Sequence, residues 1–530
     1  MKKQPQLDKG GFRKFGFRDK FAYAAGDFGC NMSFSLKSTV QTFWLAFMLM
    51  ETGLLSILMI IVQIWDAVND PLIGSLIDAD HRKYKRGKFK TYIFIGACGL
   101  LLGGAAVFIP FPSAPTVIKA VLFIFGYIIW DAFYTIANVP YGSMLSLITT
   151  NEGERAQLST WRSIGSIIGT VVPMAVLPML IWKKVTYDGT TDFLNKIVVD
   201  NDVKDLFTNI NPLTGKEYKL GEAVLHPLTG EKIEILLGNR VFFVALIMGI
   251  IGFVSFMLML KLVTVRADES TVKANEGGEK FNIFKAFGKF IKNRAAVGAT
   301  LAGMGMVFGT QSITTANTIM FATHFHMARL SGIVQLVGVL PMILFIPFIT
   351  KIVKRFGKKE SSAVGSMVSL AGSVIMMLFP LIPNKTISLI VYVIALVIYG
   401  LGLGIYSCVC WALMGDAIDY NELRFGTREE GMIYSLHSFF RKLAQGLGPS
   451  LVIVIMGWLG YNSKLGTIGQ SAQTAKNMCW VVVFIFLVSA LFQFIGLTFV
   501  YNLDKKKVAS MSSELNSRKS DTSPEISEEK

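Results

Sequence analysis

One apolar stretch of the sequence reads Trp65-Asp66-Ala67-Val68-Asn69-Asp70-Pro71. Asp66 and Asp70 are four residues apart, so on a helix they share a face, with the Asn69 amide beside them. Carboxylate and carbonyl oxygens are the ligands that hard cations prefer. Two acids this close also resist ionising together, which suits the pair to hold a proton. An ionisable group at the centre of a bilayer costs about 2.5 to 3.5 kcal/mol on insertion scales, so each one needs a partner or a purpose. The bland alternative is a pair of acids locked to basic residues of other helices for assembly alone. Depth and spacing favour the cation reading, with Na+ or H+ as the ion and Asp66 and Asp70 as the metal ligands if it is Na+.

Further polar residues lie at similar depth. Asp131, Thr135 and Asn138 recur at helical spacing, Thr135 as a further cation oxygen and Asn138 as a hydrogen-bonding group for substrate. Asp27 stands alone in Gly26-Asp27-Phe28-Gly29, with Asn31 one turn on, and can accept from sugar hydroxyls or hold a basic partner. Trp161-Arg162 offers a guanidinium fork beside an aromatic face suited to a pyranose ring, although Arg162 also reads as an ordinary arginine at a helix end. His437, Arg441 and Lys442 interrupt another apolar run. Lys442 is the expected partner for the Asp66 and Asp70 carboxylates or for substrate, and His437 is a hydrogen-bonded structural or cavity residue, or else a proton relay. Asp416, Asp419 and Glu422, followed by Arg424 and Arg428, look like a gate whose acids pair with Arg155 or Arg162, or else a solvated helix end.

These residues need elements that hold them in lipid. Of 530 residues, 52% are apolar and 17% charged, against roughly 25% charged in a soluble protein. Twelve apolar runs fall at about 21–48, 54–79, 91–111, 117–148, 158–182, 240–262, 295–323, 329–353, 361–382, 387–418, 431–460 and 477–501, each long enough to span a bilayer as helix. Lysine and arginine crowd the connectors at 82–90 and 351–359, the N-terminal tail, the 263–294 connector and Lys505 to Lys507. By the positive-inside rule both termini are cytoplasmic, in a cell (inner or plasma) membrane. The net charge of +16, from 52 basic and 36 acidic residues, therefore faces a membrane surface, and no nucleic-acid partner is expected. The five cysteines have no metal spacing and read as buried free thiols.

The expected organisation is a cytoplasmic tail (1–20), a six-helix bundle (21–262), a cytoplasmic connector (263–294), a second six-helix bundle (295–502) and a disordered cytoplasmic tail (503–530). Residues 183–239 form a polar extracellular loop in which Pro-Leu-Thr-Gly occurs at Pro212 and Pro227. Two turn signals fifteen residues apart suggest a hairpin-rich cap, and a mobile spacer is the alternative.

The two halves echo each other: Pro71 leads into Arg86-Gly87-Lys88 as Pro347 leads into Arg355, Gly357 and Lys358. Parallel six-helix repeats resemble the major facilitator architecture, an all-α membrane protein of twelve transmembrane helices. More specifically, Gly26-Asp27-Phe28-Gly29, the Trp65 to Gly74 run, Arg86-Gly87-Lys88-Phe89-Lys90, Val139-Pro140-Tyr141-Gly142, Asp416-Ala417-Ile418-Asp419-Tyr420, Tyr434-Ser435 and Lys442 resemble the glycoside-pentoside-hexuronide:cation symporters, which include the melibiose permease. The resemblance implies a cation site of Asp66, Asn69, Asp70 and Thr135, sugar contact at Asp27 and Arg162, and charge balance by Lys442. Gly26, Asn138 and Gly142 replace a lysine, an acid and a tryptophan of the melibiose permease, so another glycoside or an oligosaccharide is the expected substrate. About 28 residues follow Asn502, too few for a fused regulatory domain. The whole reading is a monomeric symporter needing no cofactor beyond its co-transported Na+ or H+. A lipid carrier of the same fold and a non-transporting sugar sensor are the rivals; no nucleophile-base set or phosphate loop favours an enzyme.

Overall fold

The computed structural model describes residues 13–80, 82–149, 151–189, 199, 201–266, 283–426 and 430–522. In chain order the helices are α1 (Phe17–Phe34), α2 (Leu36–Ala46), α3 (Thr52–Ala79), α4 (Lys88–Ala106), α5 (Thr116–Ile148) and α6 (Glu152–Ile181). Strand β1 (Trp182–Lys184), the single turn α7 (Asn201–Lys204) and strand β2 (Glu234–Leu236) precede α8 (Gly238–Leu262). Then come α9 (Ile283–Lys292), α10 (Arg294–Thr323), α11 (Ser331–Phe356), α12 (Lys358–Met376), α13 (Lys385–Phe425), α14 (Glu430–Trp458), α15 (Ala472–Ile495) and α16 (Lys505–Thr522).

Every one of the twelve apolar runs carries helix, and 10 of the described helices are long and apolar enough to cross a membrane. The first run falls short because it breaks at Ser35 into α1 and α2. The seventh, α10, is diluted by glycine, threonine, Gln311, Ser312 and Asn317. Its Ser312, Thr315 and Asn317 are buried, and Asn317 Nδ2 donates to the Ser331 carbonyl at 3.1 Å, so only part of this polar set lines an open face.

By packing, the chain divides into two units: 1–278 with 317–333 and 453–478, and 279–316 with 334–452 and 479–530. In the first unit α1 packs on α6 and α8, α3 on α5, and α4 on α5 and α8. A clasp closes the basic turn between α3 and α4, where Asp80 accepts from the Tyr84 and Tyr92 hydroxyls and the Arg82 N–H. Those donors hold the Asp80 carboxyl well below the usual carboxylate range.

The described residues of 183–239 fold as a cap. β1 and β2 pair antiparallel, with Trp182 opposite Leu236 and Lys184 opposite Glu234. Both Pro-Leu-Thr-Gly segments turn the chain in the same way: Gly215 and Gly230 each sit at φ +67°, flanked by bridges Ile210–Glu217 and Leu225–Lys232. The left-handed backbone there is the conformation glycine adopts without strain. Val185, Val203, Phe207, Tyr218, Val224, Ile233 and Ile235 form its core, together with Ile468 from beyond α14. Because the cap also binds the connectors at 324–330 and 463–468, those stretches pack with the first unit.

Two expectations are corrected. The tail is helical over Lys505–Thr522, because Met511 and Leu515, one turn apart, are buried, and Val508 packs against a cluster from α9, α10, α13 and α14. Lys505 Nζ also binds the last carbonyls of α11, Lys354 O at 2.9 Å and Arg355 O at 3.0 Å. Among the cysteines, Cys30, Cys410 and Cys479 are buried, but Cys408 is exposed on α13 and Cys98 is half-buried.

Candidate cation and sugar sites

α3 presents Asp66, Asn69 and Asp70 toward α5, which presents Asp131 and Thr135 from successive turns. Asn69 Nδ2 donates to Thr135 Oγ1 at 2.8 Å and to Asp131 Oδ2 at 3.2 Å, and Thr135 Oγ1 in turn donates to Asp70 Oδ1 at 2.9 Å. The hydroxyl thus uses both its donor and its acceptor capacity. Asn69 is fully buried, and its Oδ1 accepts no hydrogen bond. A buried amide oxygen without a partner beside carboxylates is an acceptor awaiting a cation or proton donor.

The ammonium within this cluster belongs to Lys37, in the first turn of α2. Its Nζ lies 3.4 Å from Asp66 Oδ2 and 3.5 Å from Asp131 Oδ1. It also stands 5.2 Å from the Phe34 ring centroid, 5.8 Å from Tyr127 and 5.9 Å from Tyr134, within cation–π range. Lys442, expected to balance the acids, is exposed on α14. The break at Ser35 starts α2 so that Lys37 enters the space between α3 and α5. Sequence spacing gave no sign of this: a lone lysine amid Ser35, Ser38 and Thr39 reads as a polar break, and its partners come from other helices.

The sugar candidates assemble in the same unit. Arg162 Nε donates to Asp27 Oδ1 at 2.9 Å, Asn31 Nδ2 donates to Asp27 Oδ2 at 3.0 Å, and Thr170 Oγ1 donates to Asn31 Oδ1 at 3.2 Å. α6 comes this close to α1 because Gly165 lies against the Ala24 carbonyl oxygen, where a methyl group would collide. The aromatic partner of Arg162 is Tyr141, 5.2 Å from ring centroid to guanidinium, whereas Trp161 packs edge-on against Phe17 at 5.3 Å. Asn138 Oδ1 faces the Cys30 thiol at 3.7 Å rather than the Asp27 pair.

In the second unit, His437 Nδ1 lies 2.9 Å from Thr300 Oγ1, and its ring meets Trp411 edge-on at 5.6 Å. The Arg441 guanidinium sits 4.8 Å from the Trp411 ring centroid, and Tyr434 stacks on Trp411 at 5.5 Å. Trp411 and Tyr434 are about half exposed, an aromatic surface missed in the sequence because its parts come from two helices. Two of the expected gate residues, Asp416 and Arg155, have partners within their own unit. Asp416 pairs with Lys358 at 2.5 Å, Arg155 Nε donates to the Thr149 carbonyl at 2.9 Å, and Asp419 is half-buried near the end of α13. Arg428 lies outside the described residues.

The Bacillus subtilis (strain 168) protein named Uncharacterized symporter YjmB is 26% identical over 485 residues, 90% of each chain. The isoprimeverose transporter of Lactiplantibacillus pentosus is 25% identical over 493 residues, covering 92% of this chain and 89% of its own. The crystal structure of a D-xylose-proton symporter superposes with a TM-score of 0.53 over 89% of this chain and 96% of its own, at 15% identity, and so shares the fold. The family described as MFS/sugar transport protein matches residues 22–505, and the chain belongs to that family: it is a multi-pass membrane transporter with the major facilitator fold, not an enzyme.

Proposed function

We propose that the chain is a glycoside-pentoside-hexuronide:cation symporter that imports a glycoside or oligosaccharide with Na+ or H+ by alternating access. The observation that carries this reading is the buried Asn69 Oδ1, unpartnered among Asp66, Asp70, Asp131 and Thr135. Asp66, Asn69, Asp70 and Thr135 hold the cation, and the charge it brings offsets acids that apolar surroundings tolerate poorly. Asp27, Asn31 and Arg162 offer the acceptors and donors that sugar hydroxyls need, with Asn138, Trp161, His437 and Lys442 as further contacts. Arg155, Asp416, Asp419 and Arg428 serve the gate. The relatives named as a symporter and as an isoprimeverose transporter support the substrate class.

Orientation follows from the basic connectors. Twelve spans put both termini and the 263–294 connector in the cytoplasm and the cap outside. The unit of function is a monomer in a cell membrane.

The test is calorimetric titration of the purified protein with a panel of sugars, each with and without Na+ and at two pH values. One glycoside binding more tightly in Na+ supports a sodium site; tightening by pH alone supports a proton site at the same acids. Cation and sugar must raise each other's affinity by the same factor. If no sugar binds but a lysolipid does, the protein is a lipid carrier; if sugar binds without counterflow in vesicles, it is a sensor.

A further inference from the structure

We propose that Lys37 is a tethered cation that guards the coupling site: its ammonium holds Asp66 and Asp131 until the transported cation displaces it from Asp66. This rests on the reading of Asp66, Asn69, Asp70 and Thr135 as that site. Three carboxylates, Asp66, Asp70 and Asp131, converge there, and the Lys37 ammonium stands 3.4 and 3.5 Å from two of them.

The geometry is that of a movable ion rather than a locked one. Arg13 meets Asp19 at 2.7 Å, and Arg162 meets Asp27 at 2.9 Å, both typical charge-assisted distances. Lys37 stands off at 3.4 and 3.5 Å, shared between acids on two different helices. Phe34, Tyr127 and Tyr134 surround the ammonium, and the Tyr127 hydroxyl, a neutral partner, also accepts a hydrogen bond from it. Its flexible four-carbon stem allows it to leave Asp66 and remain with Asp131 and the rings. A cation entering beside Asn69 Oδ1 meets the like charge of Lys37 and favours that swing. Lys37 thereby sets how much cation is needed.

The experiment titrates Na+ and Li+ into purified protein and follows sugar affinity. Lys37→Met alone leaves Asp131 buried without its partner, so the main variant is the double Lys37→Met/Asp131→Asn, which removes both members of the pair. The expected result is a half-saturating Na+ concentration lower than in the unaltered protein, because the net charge of the cluster is unchanged while no ammonium competes for Asp66. A gain of Na+ response where the unaltered protein has none supports the proposal equally. Lys37→Arg, which keeps the charge and adds a planar fork for the acids, should keep or raise the Na+ requirement. If the double variant binds sugar with the same or a higher Na+ requirement, Lys37 is a structural tie and the proposal falls. If neither protein responds to Na+ or Li+, uphill uptake by Asp70→Asn separates two failures. Uptake abolished leaves the coupling-site reading standing without the Lys37 role; uptake preserved overturns both.

Discussion

Arg162 gives Asp27 its Nε, and its side chain remains 40% exposed, which leaves part of the guanidinium fork open to a sugar hydroxyl. A lysine at this position keeps the charge but loses the planar fork. Arg162→Lys should therefore weaken sugar binding by about 1.5 to 3 kcal/mol, the range for a hydrogen bond to a charged group. Calorimetric titration reads this, and Na+ binding without sugar should be unchanged because Asp66, Asn69, Asp70 and Thr135 are untouched. A sugar affinity equal to that of the unaltered protein would place the substrate away from Asp27. At this scale, what the sequence revealed followed from spacing along a single helix. Asp66 and Asp70 stand out because two acids one turn apart are costly in an apolar run. Lys37 did not stand out, because its meaning depends on Asp131 from α5, and no one-dimensional pattern links residues on two helices.

At the scale of elements, close approach decides which of these side chains can meet. α6 reaches α1 through Gly165 and Gly169, where added side chains would press on Ala24 and Asn31. Replacing Gly165 by valine forces the helices apart and costs about 1 to 3 kcal/mol, as overpacking of a close contact generally does. The Arg162–Asp27 bond spans the same pair of helices, so sugar affinity should fall together with the unfolding temperature in detergent. Thermal unfolding and sugar titration of Gly165→Val check both; unchanged affinity in a destabilised protein would separate the bond from the helix contact. Most helix boundaries were legible from apolar run length, the break at Ser35 excepted, and the cap turns from the repeated Pro-Leu-Thr-Gly. The tail helix was hidden because its buried stripe is only Val508, Met511 and Leu515 in a Ser-, Glu- and Lys-rich segment. Composition registers the solvated residues there and misses three contacts.

On the scale of the whole molecule, the cap joins parts of the chain that lie far apart in sequence. His226 Nε2 is 2.8 Å from the Ile468 carbonyl, Glu234 accepts the Arg329 N–H at 2.9 Å, and His326 Nε2 lies 3.2 Å from Glu231 Oε2. A segment inserted between α6 and α8 is thus fastened to the connectors that follow α10 and α14. Burial raises the Glu234 carboxyl above its ordinary range, partly offset by the Arg329 N–H and by nearby Lys184. A raised value means that the folded cap binds the proton more tightly, so this contribution to stability is full below the ordinary glutamate range and is lost as pH rises through the folded value. Alternating access by a major facilitator fold requires one side of the molecule to open while the other closes. If that opening separates the cap from the α10–α11 connector, tying them together must stop the cycle. With Glu231→Cys/His326→Cys joined by a short, reducible bifunctional thiol reagent, sugar counterflow in vesicles should cease while sugar binding persists, and reduction should restore it. Single-cysteine controls account for the exposed Cys408. Counterflow at the unaltered rate in the tied protein would mean that the cap and the connector travel as one body through the cycle, and the opening would then lie elsewhere.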